Sequence, residues 1–255
     1  MIVTQHCNLN CKHCLRGDRC DEKMSKEVIE KTLRQVAVIG NLCLCGGEPT
    51  LALDVIYQIF HYIVEHDILV YQVSVTINGT NYSPEFLTLL DYISDYIPDR
   101  NVIFAISSDQ YHMQELERFN LLATYKANII QYSASPYFIG TRELDPKLKL
   151  FREGNAENLD SAKTIDLRPL DIIITYVNND IKRLCCIGPM MAVNTAGIIT
   201  EENASNYNQY TKYNYGNVFI NTFEKVALAR GRIISDKYFD RKTNKIMRKY
   251  LTYNK

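Results

Sequence analysis

The densest chemistry in this 255-residue chain lies in eight residues near its amino terminus, Cys7-Asn8-Leu9-Asn10-Cys11-Lys12-His13-Cys14. The C-x3-C-x2-C spacing follows a short strand candidate, Ile2–Gln5, and so falls in the loop after a first strand. Thiolates are soft ligands suited to iron–sulfur clusters and to zinc. A [4Fe–4S] cube normally takes four thiolates. Three thiolates from one loop hold three irons and leave the fourth open to a small chelating ligand, which makes that iron a reaction centre. The same loop also offers a zinc site, because His6 or His13 would complete a Cys3His set. The other five cysteines, at 20, 43, 45, 185 and 186, read first as small buried hydrophobes. Cys43 and Cys45 alternate along a strand and share a face. Cys185 and Cys186 are adjacent and point to opposite faces, so at most one of them joins a site.

Three further segments carry polar groups where a strand ends. Cys45-Gly46-Gly47-Glu48-Pro49-Thr50 closes a short apolar run. Its glycines let backbone approach a ligand and offer free N–H groups. Glu48 offers an acceptor for an ammonium group, and Pro49 fixes the turn into a helix. Thr76-Ile77-Asn78-Gly79-Thr80 and Ser107-Ser108-Asp109 close the third and fourth runs. Each reads alone as turn chemistry. Four successive strands ending in such residues place them on one rim, and the carboxyl-terminal rim of parallel βα units is where chemistry sits.

The elements that must build this rim alternate. Lys26–Ile39 and Leu53–Glu65 show helical apolar spacing, with Ser25 as N-cap of the first. Leu42–Cys45, Ile68–Ile77, Val102–Ile106 and Ile129–Tyr132 read as strands, and Asp171–Val177 as a sixth after Ile2–Gln5. Pro84–Tyr96 and Met113–Tyr125 read as helices. Alternation at this spacing indicates α/β architecture with parallel strands. The long polar stretch Ser133–Leu170 holds at most a short helix near Pro146–Phe151, and loops of that length are usually functional or mobile. Beyond residue 180 the pattern changes to a hairpin over Met191–Thr200, turning near Ala196-Gly197, and then to helices at Phe223–Arg230 and Lys237–Tyr250. The expected division is a core of residues 1–180 and a small α+β extension of residues 181–255.

Composition narrows the classes. The chain is 46% hydrophobic and 23% charged, with 29 basic and 29 acidic residues, which is ordinary for a globular protein and argues against general nucleic-acid binding. No apolar run approaches a membrane span, and no signal peptide is read at the start. Clustered cysteines are not a disulfide framework and point to a cytoplasmic metal or redox site. Residues 230–255 hold nine basic residues against two acidic ones, a charge bias suited to an acidic peptide or simply to a solvated helical face.

Taken together, Cys7, Cys11 and Cys14, the GGE run Gly46-Gly47-Glu48, Asn78 in a TNG-like segment, and the Ser107/Asp109 pair resemble the radical S-adenosylmethionine (SAM) superfamily over roughly residues 1–135. The resemblance implies a partial (βα)6 radical SAM barrel. It implies that Cys7, Cys11 and Cys14 ligate a [4Fe–4S] cluster whose open iron is chelated by SAM. Gly46, Gly47 and Glu48 would hold the methionine amine, and Asn78, Ser107 and Asp109 the ribose and carboxylate. Reductive cleavage of SAM would give a 5′-deoxyadenosyl radical that abstracts hydrogen from a substrate, with a flavodoxin- or ferredoxin-like donor supplying the electron. Cys186-x2-Pro189 through Tyr215-Gly216-Asn217 resembles the start of a SPASM-like extension, but without the full auxiliary-cluster cysteine set.

Such tails accompany peptide- and protein-modifying members, so a peptide or protein side chain is the expected substrate. The alternative is a small-molecule enzyme acting on a nucleotide, pterin-like ring or sugar, or a glycyl-radical activating enzyme. Tyr137, Arg142 and Glu143 are candidates to meet an anionic substrate, Arg142 as a bidentate clamp, and His112 is a further candidate to face the same site. A non-catalytic zinc-binding module is the reading from another class.

Overall fold

The computed structural model describes residues 1–14, 16–17, 19–143, 170–177, 180–188, 191–201 and 214–233. The elements are α1 (Lys26–Leu33), β1 (Val38–Ile39), β2 (Leu42–Leu44), α2 (Leu53–Glu65), β3 (Leu69–Val70), β4 (Val73–Ile77), α3 (Pro84–Ser94), β5 (Val102–Ser107), α4 (Gln110–Arg118), α5 (Leu122–Tyr132), β6 (Phe138–Arg142), β7 (Leu170–Val177), β8 (Asp180–Gly188), β9 (Met191–Val193), β10 (Ile198–Glu201), β11 (Asn214–Asn217), α6 (Phe223–Arg230) and β12 (Gly231–Ile233). They form two units. One comprises residues 1–167 and 191–222, the other residues 168–190 and 223–255. The expected boundary at residue 180 does not coincide with this division, because the 191–222 stretch returns to the first unit.

In the first unit, β2, β4, β5 and β6 form a parallel sheet in that order. β4 shows why it sits there: Val73, Val75 and Ile77 are buried while Ser74 and Thr76 are half-exposed, the period of a strand with one covered face. The helices cover that face. Ser25 caps α1 by accepting from Val28 N–H, and α2 buries Val55, Ile56, Ile59, Phe60 and Ile63 along one stripe. Phe86, Phe104 and Tyr132 meet edge to face between helices and sheet, with Phe104 centroids 5.3 Å from both others. The partial-barrel α/β class expected from the sequence is the fold seen. The first strand is reduced to bridges, Ile2 parallel to Cys45 and Thr4 antiparallel to Lys23. Its outer side is closed by the β9–β10 hairpin, since Ile2 N–H donates to Val193 C=O at 2.9 Å.

Several expected elements differ. The strand expected at Ile129–Tyr132 is the end of α5, which buries Tyr125, Asn128 and Tyr132 at helical spacing and leaves Ile130 73% exposed. The two adjacent isoleucines mimic a strand, but no breaker interrupts the helical turn before Ser133. The helix expected at Met113–Tyr125 is broken instead, with Asn120 in the left-handed region at φ 56° between α4 and α5, a conformation Asn tolerates. The run Ile68–Ile77 splits into β3 and β4. Asp171–Val177 forms a strand as expected, but within the second unit, antiparallel to β8 and parallel to β12. Cys185 and Cys186 occupy successive positions of β8, opposite Ile173 and Ile172. The helices expected near Pro146–Phe151 and Lys237–Tyr250 lie outside the described residues.

Tyr137 also departs from expectation. It precedes β6, at the opposite end of that strand from the rim. Its hydroxyl donates to Asp91 Oδ1 at 2.7 Å and meets Ser94 Oγ at 3.0 Å, both on α3, and burial raises its phenol pKa. It is a strut rather than a substrate contact. Tyr137→Phe is expected to lower stability by about 1–2 kcal/mol, read as a urea-midpoint shift, with SAM cleavage unchanged. A large fall in turnover at unchanged stability would return Tyr137 to the site.

Candidate functional site

The site is assembled where the chain from Thr4 to Cys14 crosses the tips of β2, β4 and β5. At β2 the contact is backbone on backbone. Gly47 N–H donates to Thr4 C=O and Glu48 N–H to His6 C=O, both at 2.7 Å. A Cβ on Gly46 would lie 2.5 Å from Thr4 O, and one on Gly47 2.1 Å from His6 O. The glycines therefore exist to let two chains touch, and the N–H groups of Gly47 and Glu48, expected free for a ligand, are spent in holding the cysteine loop.

Glu48 is similarly committed. It is 1% exposed, with Oε1 accepting from Thr50 N–H at 3.0 Å and Thr50 O–H at 2.7 Å, and Oε2 from Asn78 N–H at 2.7 Å. Burial pushes its carboxyl pKa up in spite of these donors. The expected acceptor for an ammonium group thus ties the tip of β2 to the tip of β4. Glu48→Gln would turn an N–H2 group toward one of these donors. The expected cost is about 1–3 kcal/mol, seen as a lower melting midpoint together with weaker iron retention. A neutral effect on both would show that the three bonds do not hold the rim.

Asn78 continues the network. Its Nδ2 donates to Asn8 Oδ1 at 2.8 Å and lies 3.9 Å from Cys7 Sγ, while Oδ1 accepts from Thr80 N–H and O–H. Asn8 Nδ2 returns a bond to Thr80 Oγ1 at 2.7 Å. At β5, Asp109 caps α4, its Oδ1 accepting from Tyr111 and His112 N–H at 3.0 Å each. Its Oδ2 is 3.4 Å from His13 Nε2, and His13 stacks on Tyr111 with centroids 5.1 Å apart. Ser107 C=O accepts from Tyr125 O–H at 2.6 Å.

The first turns of α4 reach the cysteine loop directly. His112, 2% exposed, places Nε2 2.8 Å from Asn78 C=O and Nδ1 3.9 Å from Cys11 Sγ. Because a carbonyl only accepts, Nε2 carries a hydrogen. Burial lowers the ring's pKa, so the neutral form is favoured. His112 was expected as a possible substrate contact; both its nitrogens instead face protein atoms, and it wedges the rim against the loop. One turn on, buried Glu115 Oε1 accepts from Asn10 N–H at 3.1 Å and from Arg118 at 2.6 Å. Asn8, Asn10 and Glu115 went unread in the sequence. The i, i+3 spacing of His112 and Glu115 on a helix that starts at the rim was the available signal.

The three thiols are close enough to disfavour one another's charge. Burial pushes Cys7 up to about 12, and Cys14 adds to it; burial, then Cys14 and Cys7, raise Cys11. Such a trio ionises readily only beside cations, which is what irons supply. His6 Nδ1 pairs with Asp21 at 2.9 Å. Two buried polar atoms at the rim, His13 Nδ1 and Ser108 Oγ, have no partner among the described residues, and each normally demands one. The soft donor set and these two orphaned atoms fit a cluster with a polar organic ligand beside it.

Arg142, at the end of β6 opposite Ser107, is exposed, with Nη1 3.5 Å from Thr76 Oγ1; Glu143 follows it, also exposed. On the loop's other side an open cleft of about 520 Å³, lined by His6, Cys7, Asn8, Arg19, Cys20 and Asp21, brings Cys7 within reach of solvent.

Residues 1–112 match the family described as Radical SAM superfamily. A probable GTP 3′,8-cyclase of Pyrococcus abyssi (strain GE5 / Orsay) is 31% identical over 127 residues, covering 47% of this chain and 38% of that protein. The match thus spans well under half the length of that relative. A solved structure described as native anSMEcpe with bound AdoMet and Cp18Cys peptide aligns over 88% of this chain and 77% of that one, at 14% identity and a TM-score of 0.45.

Proposed function

This chain is a radical SAM superfamily protein, and from that premise we propose that it is an enzyme that cleaves SAM reductively at a [4Fe–4S] cluster held by Cys7, Cys11 and Cys14. The observation that supports this reading is that the Cys7, Cys11 and Cys14 thiols feel one another's charge, with Asn78 beside Cys7 and His112 beside Cys11 on one rim. When bound, cluster and SAM together supply a 5′-deoxyadenosyl radical able to abstract hydrogen from a substrate.

The chain's own residues do the rest. Cys7, Cys11 and Cys14 would hold three irons, and the loop keeps its shape through Gly47, Glu48, Asn78 and His112. Gly46 and Glu48 act on the methionine end through the backbone they position. Asp109 and Ser107 stand where a ribose would be held, and the orphaned His13 and Ser108 atoms offer partners to the nucleoside. The cleft beside Cys7 is the approach for a flavodoxin- or ferredoxin-like reductant. A reducing cytoplasm suits an open iron. Among the described residues no helix is long and apolar enough to cross a membrane.

The substrate we favour is a small anionic molecule. The likeness to a probable GTP 3′,8-cyclase supports it, as does the exposed guanidinium of Arg142 at the end of β6, whose fork matches phosphate or carboxylate. A peptide or protein side chain, the substrate first expected from the SPASM-like tail, is the second reading; the basic stretch beyond residue 233 on which an acidic peptide would rest lies outside the described residues. Anaerobically reconstituted protein should carry about four irons per chain and release 5′-deoxyadenosine with dithionite and SAM. Stimulation by nucleoside triphosphates and its loss in Arg142→Ala would support the small-anion reading. Stimulation by a peptide encoded beside the gene, unaffected by Arg142→Ala, would replace it. One tightly bound zinc and no deoxyadenosine would end the proposal as a whole.

A further inference from the structure

The sheet of β2, β4, β5 and β6 turns Leu42, Leu44, Val73, Val75 and Ile77 toward its helices. Cys43 and Cys45, read from the sequence as buried hydrophobes, stand half-exposed on the other face. Beside them on that face are Ser74, Thr76, Ala105 and Ser107, since Cys43 pairs with Ser74 and Thr76 with Ala105. Bulky branched side chains normally fill the inside of a βα barrel; these side chains are short. Two guanidinium groups reach this face, one from β6 and one from the cysteine loop. Arg142, paired with Ser107, crosses β5 to bring Nη1 3.5 Å from Thr76 Oγ1. Ala105 offers only a methyl to that crossing. Arg16, two residues beyond Cys14, brings Nη2 3.5 Å from Cys45 Sγ. The register Leu44↔Val75, carried one residue on, sets Cys45 beside Thr76, across the roughly 4.8 Å that separates neighbouring strands. Two positive charges are thus aimed at one patch of the sheet. Like charges so placed repel, and an anion laid over both removes the repulsion.

We propose that Arg16 and Arg142 clamp a phosphate group of the substrate over Thr76, on the inner face of the sheet. A planar carboxylate is satisfied by a single guanidinium fork. Donors from two guanidinium groups and a hydroxyl, arriving from separate directions, suit the tetrahedral oxygens of a phosphate instead. Thr76 lies two residues before Asn78, roughly 6.6 Å below the rim along β4. The phosphate is therefore held deep, and the rest of the substrate extends up toward the cysteine loop, where hydrogen would be removed. The clamp rests on the reading of this chain as an enzyme acting on a small anion, and it narrows that anion to a phosphate ester or anhydride. It also makes Arg16, which no feature of the sequence singled out, a residue that decides which substrates are accepted.

The test titrates the anaerobically reconstituted protein, without reductant, with GTP, guanosine and inorganic pyrophosphate in a calorimeter. GTP should bind at least about tenfold tighter than guanosine, and pyrophosphate should compete with it. Arg16→Gln and Arg142→Gln should each weaken GTP binding about ten- to a hundredfold, the effect of losing a charge-assisted bond. Thr76→Val keeps the shape of the side chain and removes its hydroxyl; it should weaken GTP binding about three- to tenfold. Arg100→Gln removes an exposed arginine paired with Asp95 and should change nothing, which excludes a general effect of charge. Retained visible absorption shows that each variant still holds its cluster. The clamp is overturned if neither GTP nor pyrophosphate binds more tightly than guanosine, or if Arg16→Gln binds GTP as well as the parent does. Dithionite and SAM added to the same samples report separately on the enzyme. Deoxyadenosine release without phosphate-dependent binding overturns the clamp alone. Arginine-dependent GTP binding without any deoxyadenosine supports the clamp and overturns the enzyme reading.

Discussion

Cys11→Ala protein, reconstituted anaerobically, is expected to lose the iron–sulfur absorption and to fall by more than about a hundredfold in 5′-deoxyadenosine release. Changing residues that merely orient metal ligands costs 10–100-fold, and Cys11 is proposed as a ligand itself. Its sulfur lies within electrostatic reach of both Cys7 and Cys14. The fold should survive. Cys11 is only half-buried, and its backbone role, C=O accepting from Cys14 N–H at 3.1 Å, is one that alanine keeps. The melting midpoint should therefore stay within a few degrees of the cluster-free parent. Full iron and full turnover in Cys11→Ala would falsify the assignment of the site.

The largest structural effect is expected at Gly47. A Cβ there meets His6 O at 2.1 Å, His6 C at 2.5 Å and Gln5 O at 2.8 Å, all backbone atoms. No rotamer change relieves such contacts, so the two chains must part by about an ångström. Parting breaks the bonds from Gly47 N–H to Thr4 C=O and from Glu48 N–H to His6 C=O. Overpacking and a lost hydrogen bond together amount to about 2–4 kcal/mol. The displaced segment leads straight into Cys7, so Gly47→Ala should also retain iron poorly. Gly40→Ala is the control, since a Cβ there has nothing within 4 Å and should change stability by no more than about 0.5 kcal/mol. Urea midpoints of the two cluster-free variants, measured beside their iron contents, decide the matter. Equal midpoints would mean that the close crossing at Gly47 does not hold the loop.

Local chemistry made part of this protein readable from residues alone. The C-x3-C-x2-C trio, the Ser25 cap whose hydroxyl accepts from Val28 N–H, the apolar stripe of α2 and the polar strand ends are all fixed by near neighbours in the chain. Ligand type, capping and periodicity depend on a few successive residues, and so survive without knowledge of the fold. Ile129–Tyr132 failed that test because adjacent isoleucines suit a strand, whereas burial of Tyr125, Asn128 and Tyr132 on one face made it helix.

Tertiary structure alone decided what those residues do. Glu48 looked like a ligand for an amine and is a buried tie between β2 and β4. The glycines before it looked open to a ligand and are the crossing point of two backbones. Tyr137 looked like a substrate contact and braces α3, while Asn8, Asn10 and Glu115 were silent until the loop was seen against Asn78 and α4. Arg16 and Cys45 are far apart in sequence and meet, at 3.5 Å, only in the fold. The physical reason is the same in each case: a residue's type sets which bonds it is able to make, but burial and the partner across space determine which of them it has already spent.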